Sequence, residues 1–243
     1  MDSQKFEPLK PKVVLGIAAH PDDLDFGASG TMAALAEAGA EVHYLILTDG
    51  SKGTEDESLT PKELNHIREK EQRAAVKAIG GKQAHFLNYP DAYLEVTMDL
   101  KRDIVRVIRT VRPDVVITMD PSMLYSAKRG FINHPDHRAA GQAALDAVFP
   151  MARDHLTFPE LCTKEGLKPH KTRTVLLTNF DNHNFVVDIS KTFDKKLAAL
   201  RAHASQVGDI DKIEPWLRQR AHDAGAEAGY ELGEGFIRLD LGI

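Results

Sequence analysis

The chain alternates short apolar runs with amphipathic segments, a pattern typical of strands and helices that follow one another. Val13 to Ala19 is apolar throughout and is bounded by polar or proline residues, which predicts a strand buried on both faces. Phe26 to Ala38 is rich in alanine and stops at Gly39, as helices commonly do. Leu100 to Val111 places its apolar residues at helical spacing. The chain therefore begins as a strand followed by helices and further strands.

The same alternation continues to the end of the sequence. Further strands are predicted at 41–48, 83–87, 114–119, 173–178, 185–189 and 235–241. Further helices are predicted at 64–79, 135–148 and 193–204, with one more beginning at 213. Alternating strands and helices predict a mostly parallel sheet with helices on both faces, in a single Rossmann-like α/β domain that covers residues 1–243. Two long loops are expected at 120–133 and 149–172, the second as a wall of the substrate pocket.

Composition and charge argue against nucleic-acid binding, disulfide bonds and membrane-spanning segments, and they do not indicate a particular activity. The net charge of −5 argues against a general phosphate-binding surface, so nucleic acid is not expected as a partner. The only cysteine is Cys162, which excludes an internal disulfide and a thiolate metal cluster. Residues 1–12 are polar, and no apolar run is long enough to span a bilayer. We expect a cytoplasmic protein with no membrane contact, and the sequence is compatible with a homo-oligomer.

Two four-residue segments carry the candidate chemistry. His20-Pro21-Asp22-Asp23 and His134-Pro135-Asp136-His137 each come after a predicted strand, where ligands collect in parallel sheets. A hydrolytic zinc site has three protein ligands and an open position for water. The first segment offers a histidine with either of two aspartates, and the second offers either of two histidines. A spare carboxylate could then act as general base, and the spacing alone does not assign these roles.

Two other interpretations compete with a metal site. A histidine in a loop is often structural, and Asp after Pro is a common residue at a helix start. A nucleotide-binding Rossmann protein would carry a G-x-G-x-x-G segment at the first strand exit, where this chain has two adjacent acidic residues. Those carboxylates would repel a pyrophosphate, so the sequence favours the metal site.

At these residues the chain resembles the PIG-L/LmbE-like family of metal-dependent N-deacetylases. The family's marks are a strand that ends in A-H-P-D-D and a later H-P-D-H, which stand here at 19–23 and 134–137. The likeness continues, in the same order along the chain, through residues 48–53, 68–71, 89–91, 112–114, 187–189 and 196–206. It therefore covers most of the chain.

The resemblance implies roles that the spacing left open. It implies that the metal ligands are His20, Asp23 and His137. Asp22 would be the general base. His134, when protonated, would stabilise the oxyanion and give a proton to the leaving amine.

Three further roles come from the same resemblance. Asp136 would orient His134 and raise the pKa of its ring. Arg68 resembles the family's substrate-binding arginine, and Asp91 resembles its contact to a sugar hydroxyl. Some members carry a tyrosine two residues before the first histidine of the second motif, where this chain has Ile132. The nearest tyrosine is Tyr125.

The implied activity is zinc-dependent hydrolysis of the N-acetyl amide of an N-acetylglucosamine-type sugar or conjugate, with Fe²⁺ as an alternative metal. The small-molecule substrate would yield acetate and a free amine. One alternative is a metal-dependent amidase that cleaves another amide, such as that of a thiol-sugar conjugate. Another is a non-catalytic small-molecule-binding protein on the same fold. His203 belongs to the late family segment and is a candidate to line the site.

Overall fold

A seven-stranded sheet organises the structure, a computed structural model that describes residues 6–127 and 129–242. Its strands are β1 (Val13–Ala18), β2 (Glu41–Thr48), β3 (Gln83–Tyr89), β4 (Val115–Met119), β7 (Thr174–Thr178), β8 (Phe185–Asp188) and β9 (Gly233–Asp240). The spatial order is β3-β2-β1-β4-β7-β9-β8. The neighbours from β3 to β7 pair in parallel, and β9 runs antiparallel to both β7 and β8. The predicted α/β class with a mostly parallel sheet is confirmed.

The direction in which successive strands are added to the sheet reverses between β1 and β4, which are parallel neighbours. From β1 the chain builds outward through β2 to β3, then crosses back to place β4 on the other side of β1. In open α/β sheets such a reversal leaves a crevice at the carboxyl ends of the two strands. The two His-Pro-Asp motifs follow β1 and β4, so the topology brings both to that crevice.

Helices cover both faces of the sheet. They are α1 (Asp23–Gly27), α2 (Ser29–Glu37), α3 (Pro61–Ala78), α4 (Met98–Val111), α5 (Pro135–Asp146), α6 (Pro159–Thr163), α7 (Phe193–Ala202), α8 (Ala204–Val207) and α9 (Ile210–Ala226). One buried apolar cluster joins α4 and α5 to the sheet, and a second joins α2, α3 and α7 to its opposite face. Gly16 lets the first helices approach β1, because a Cβ there would lie 2.7 Å from Leu24 Cδ1.

The structure corrects several predicted boundaries. The first predicted helix is two helices, α1 and α2, which meet at a non-helical residue, Ala28. Helix α3 begins earlier than predicted because Pro61 fits its first turn and Thr60 forms a capping box with Glu63. The predicted loop 120–133 contains a small hairpin formed by β5 (Tyr125–Ser126) and β6 (Phe131–Ile132).

The expectation that residues 149–172 wall the substrate pocket is wrong. Helix α5 starts at the second motif and carries the chain about 18 Å away over its twelve residues. The end of the segment then lies at the amino-terminal edge of the sheet, where His170 contacts the carbonyl oxygen of Pro113, just before β4. The first residues of the segment 149–172 are held by the buried Arg109, which donates to backbone carbonyls such as that of Ala152. The segment therefore packs at the amino-terminal edge of the sheet, and the motifs lie at the opposite, carboxyl edge.

Among residues 6–127 and 129–242, no helix is both long and apolar enough to cross a membrane. Part of the polar amino-terminal segment, residues 1–5, lies outside the described residues.

Candidate metal centre

The first motif forms a tight turn at the end of β1. The Asp23 carboxylate accepts a hydrogen bond from the backbone N–H of His20 at 2.7 Å, which closes the turn on itself. Asp22 takes φ +97° and ψ −31°, a backbone conformation that residues other than glycine rarely adopt. Such strain costs on the order of 1–3 kcal/mol and persists only where the surroundings enforce it. The turn places the Asp22 carboxylate beside Arg68 and the Asp23 carboxylate between His20 and His137.

The second motif starts helix α5. His134 is its N-cap residue, and its Nδ1 accepts from the backbone N–H of Asp136 at 3.2 Å. Pro135 occupies the first helical position, where its missing N–H costs nothing. His137 lies within the first turn, and its Nδ1 is 3.0 Å from Asn133 Oδ1. The helix start thus directs Nε2 of His137 toward the first motif.

The two motifs meet around Asp23. Its Oδ1 lies 3.1 Å from His137 Nε2, and its Oδ2 lies 3.4 Å from His20 Nδ1. A ring nitrogen of His134 joins those of His20 and His137, all within 4.8 Å of one another. Imidazole and carboxylate donors at this spacing suit a divalent cation. The three residues predicted as ligands therefore lie together, and His134 lies beside them.

The other nitrogen of His20 faces two carboxylates. Its Nε2 lies 3.1 Å from Asp91 Oδ1 and 3.3 Å from Asp136 Oδ2. Both carboxylates are anchored, because Asp91 accepts from the backbone N–H of Lys52 and Asp136 from those of Ala92 and Leu94. A metal-binding histidine commonly donates its second N–H to a carboxylate, which fixes the tautomer and raises ligand basicity.

The electrostatics of His20 also fit a cation. Burial alone would lower the pKa of His20, but the charge of Asp23 and hydrogen bonds with Asp136, Asp23 and Asp91 raise it to about 12. Burial would likewise raise the pKa of Asp23, and the charges of His137 and His20 hold it well below its usual range. The cluster thus stabilises positive charge at this position, so the residues present fit a metal ion.

The predicted partnership between Asp136 and the ring of His134 is not what the geometry shows. The Asp136 carboxylate is occupied by His20 and by two backbone N–H groups, and the His134 ring meets the backbone N–H of Asp136 rather than its carboxylate. Burial and the charge of His20 lower the pKa of His134, and the charge of Asp136 does not outweigh them. The expected rise in the pKa of His134 is therefore wrong for this structure.

Asp22 lies beside the cluster with its own environment. Burial and the charge of Asp23 raise the pKa of Asp22 to about 7, although Arg68, His203 and His20 oppose the rise. A carboxylate with a pKa near neutrality is well matched to the work of a general base. The environment of Asp22 therefore differs from that of Asp23, which is held ionised.

Arg68 and Asp91, the predicted substrate contacts, are both buried. Arg68 is 3% exposed, and its guanidinium donates to the carbonyl oxygens of Pro21 and Gly50 and lies 3.4 Å from Asp22 Oδ2. Asp91 is 4% exposed, with both oxygens engaged by His20 and Lys52. In this structure Arg68 joins the loop after β1, at Pro21, to the loop after β2, at Gly50. Asp91 holds His20.

Two residues behind the first motif were not predicted from the sequence. Gln72 and Asp25 are fully buried and hydrogen-bonded to each other. His203, which was a candidate to line the site, is also fully buried, and its Nε2 lies 2.8 Å from Asp25 Oδ2. The spacing of four residues from Arg68 to Gln72 on one helix was the available signal.

Exposed aromatic and apolar side chains lie on the segments that lead to or from Asp91 and His134. The β5–β6 hairpin pairs Tyr125 with Ile132, and their exposed fractions are 64% and 81%. Tyr93 is 69% exposed, and the Lys52 ammonium lies 3.6 Å from the centre of its ring. Tyr125 therefore occupies the cross-strand position next to Ile132, at the surface.

A family model described as PIG-L, GlcNAc-PI de-N-acetylase, matches residues 15–148. The match contains both motifs, most of β1 and all of β4.

Several proteins similar to this chain are named as deacetylases. A diacetylchitobiose deacetylase from Thermococcus kodakarensis is 37% identical over 96% of this chain and 84% of its own length. A probable N-acetyl-alpha-D-glucosaminyl L-malate deacetylase from Bacillus cereus is 34% identical over 79% of this chain and 83% of its own. The solved N,N'-diacetylchitobiose deacetylase from Pyrococcus horikoshii, in complex with an inhibitor, is 35% identical with a TM-score of 0.85, covering 95% of this chain and 84% of that one.

Proposed function

This chain belongs to the PIG-L family of de-N-acetylases, and from that premise we propose that it hydrolyses the N-acetyl amide of an N-acetylglucosamine-type sugar. The products are acetate and a free amino sugar. The observation that carries the proposal is the convergence of His20, Asp23 and His137 at one point, with Asp22 beside them.

We assign the metal to His20, Asp23 and His137. When bound, a divalent metal polarises the amide carbonyl and lowers the pKa of a water. Zinc suits two imidazoles and one carboxylate, and Fe²⁺ suits the same set. Asp91 and Asp136 hold the His20 ring through its Nε2, and so keep Nδ1 directed at Asp23.

The reaction then needs two proton transfers. Asp22 takes a proton from the water whose oxygen attacks the acetyl carbon. Negative charge that develops on the carbonyl oxygen favours the protonated ring of His134, against the burial and the charge of His20 that lower its pKa in the free protein. The protonated ring stabilises this charge and supplies a proton to the sugar nitrogen as the carbon–nitrogen bond breaks. The half-exposed position of His134 lets it reach a substrate that enters from solvent.

We expect N-acetylglucosamine oligosaccharides to be better substrates than conjugates. The support is the relative that acts on diacetylchitobiose, which is aligned with 96% of this chain. Exposed aromatic faces such as those of Tyr93 and Tyr125 suit the apolar faces of sugar rings. A cytoplasmic location and a homo-oligomer stay predictions from the sequence.

The test is release of primary amine by the zinc-loaded protein from a panel of compounds. The panel contains N-acetylglucosamine, diacetylchitobiose, the malate and inositol conjugates, and a thiol-sugar amide. The Asp22→Asn variant is the control, because it keeps the size of the side chain and removes the base. We expect release by the wild type and a loss of about 10²–10⁴-fold in the variant. Cleavage of only the thiol-sugar amide would favour the amidase alternative, and no release at all from metal-loaded protein would contradict the proposal.

A further inference from the structure

The backbone N–H of Asp22 is held by the side chain of Gln72. Gln72 Oε1 accepts this hydrogen bond at 3.0 Å, from a residue whose φ is +97°. Gln72 is fully buried, so water does not compete for the bond. The side chain lies one helical turn from Arg68, which holds the Pro21 carbonyl on the other side of the same turn.

The direction of the Gln72 amide is fixed by Asp25. Gln72 Nε2 donates to Asp25 Oδ2 at 2.8 Å, and the same carboxylate accepts from the Tyr44 hydroxyl at 3.0 Å. An ionised carboxylate only accepts hydrogen bonds, so Gln72 must turn its NH₂ toward Asp25 and its carbonyl oxygen toward Asp22. Glutamine is suited to this place because one amide carries both a donor and an acceptor.

Asp25 is in turn held from the far side by His203. His203 Nε2 lies 2.8 Å from Asp25 Oδ2, and both side chains are completely buried. The chain of contacts therefore runs from His203 through Asp25 and Gln72 to the backbone of Asp22. Among the described residues, none of these three side chains forms a hydrogen bond or an ion pair with His20 or His137.

We propose that Gln72 is a positioning residue for the general base: its amide, oriented by Asp25 and His203, fixes the strained backbone of Asp22 and thereby the direction of the Asp22 carboxylate. This inference rests on the proposed function for its catalytic consequence. The structural part, that Gln72 holds the Asp22 amide, stands independently of any substrate.

Three variants test the inference in the full-length, zinc-loaded protein. Gln72→Met keeps the length of the side chain and removes both hydrogen bonds. Gln72→Glu keeps an acceptor for the Asp22 N–H, and a proton shared with Asp25 replaces the lost donor. Thr192→Val is the matched control, because Thr192 is a buried residue whose hydroxyl donates to the Gly30 carbonyl, away from Asp22.

We expect kcat to fall by about 100-fold in Gln72→Met, since a misplacement of about 1 Å costs that much, with KM and zinc content unchanged. Gln72→Glu is expected to recover kcat to within about tenfold of the wild type, because the acceptor for the Asp22 N–H is kept. Thr192→Val should lower the melting temperature without lowering kcat. Equal kcat values for Gln72→Met and Thr192→Val would overturn the proposal.

Amide hydrogen exchange at Asp22 gives a readout that needs no activity. The Asp22 N–H should exchange faster in Gln72→Met than in the wild type and in Thr192→Val. If this difference is found while the wild type deacetylates nothing, the proposed function fails and the positioning by Gln72 stands. If the wild type is active and the exchange of Asp22 is the same in all variants, the positioning by Gln72 fails alone.

Discussion

The two His-Pro-Asp motifs share three residue types and differ in how firmly the fold holds them. In the first motif, the His20 side chain is 11% exposed and has both ring nitrogens engaged by carboxylates. In the second, the His137 side chain is 24% exposed, and the half-buried His134 ring at the helix start accepts a hydrogen bond from the backbone N–H of Asp136. The first motif is built into the core, and the second presents its rings toward solvent.

The difference suggests a division of work. A metal site and a general base need a fixed geometry, and burial among anchored groups supplies it. A group that stabilises an oxyanion and protonates a leaving nitrogen must meet a substrate that arrives from solvent. Two of the three assigned metal ligands and the general base lie on the buried first motif, and the accessible His134 lies on the second.

Loss of Asp23 should have the largest effect, because this carboxylate contacts a histidine of each motif and closes the first turn. We expect Asp23→Ala to lose bound zinc and to release amine at the level of a blank. Metal content by elemental analysis and the amine assay are the two measurements. Asp120→Asn, at the exit of β4 outside the cluster, is the control and should retain zinc. One zinc per chain in Asp23→Ala would show that the ligand set is wrong.

Substitution within the second motif separates its two histidines. His134→Ala should retain zinc and lose about 10²–10³-fold in kcat, the usual effect of removing an oxyanion donor. His137→Ala should lose zinc as well as activity. Measured side by side, zinc content distinguishes the ligand from the proton donor. The reverse result, with zinc lost only in His134→Ala, would exchange their roles.

The anchoring of His20 can be weakened without touching a ligand. Asp91→Asn leaves a side chain of the same size but weakens the pairing with His20 Nε2. We expect zinc affinity to fall by about 10–100-fold, as measured by competition with a chelator. Asp120→Asn is again the control, since Asp120 is a buried aspartate outside the cluster that accepts from Ser122 and Asn179. Equal zinc affinity in both variants would mean that Asp91 serves another purpose, such as contact with a sugar.

The smallest expected effect is on stability and depends on pH. Burial alone would lower the pKa of His203, but the hydrogen bond to Asp25 and its charge raise it. A raised pKa means that protonation of His203 stabilises the fold below its ordinary pKa of about 6.5, and that this stabilisation is lost as pH rises through the raised value.

His203→Gln should therefore lose about 1–3 kcal/mol of unfolding free energy near pH 6 and less at high pH. Denaturant unfolding at pH 6 and pH 9 measures the difference. His222→Gln, at a histidine side chain that is 60% exposed, should change neither value. A loss in His203→Gln that is equal at both pH values would mean that the pair is not ionised in the folded protein.

Much of the fold and the position of the site could be predicted from the sequence. Buried strands such as β1 and β4 are continuous apolar runs, and an apolar run is a local signal that needs no distant partner. The alternation with helices then implies a parallel sheet, and parallel strands end at the same edge. The first motif directly follows β1 and the second follows β4 after the loop 120–133, so the sequence alone predicted that both lie at that edge.

Only the tertiary structure decided which partners these residues meet. Asp136 turns to His20, which is 116 positions away, rather than to its neighbour His134. His203 reaches Asp25 across 178 positions, and a buried Arg68 closes two loops where a substrate contact was expected. Residues 149–172 pack at the far edge of the sheet because the length and direction of α5 take them there. Such contacts depend on how separate elements pack against one another. A buried polar group pairs with whichever partner the packing brings within hydrogen-bond distance, and no local sequence pattern encodes that partner.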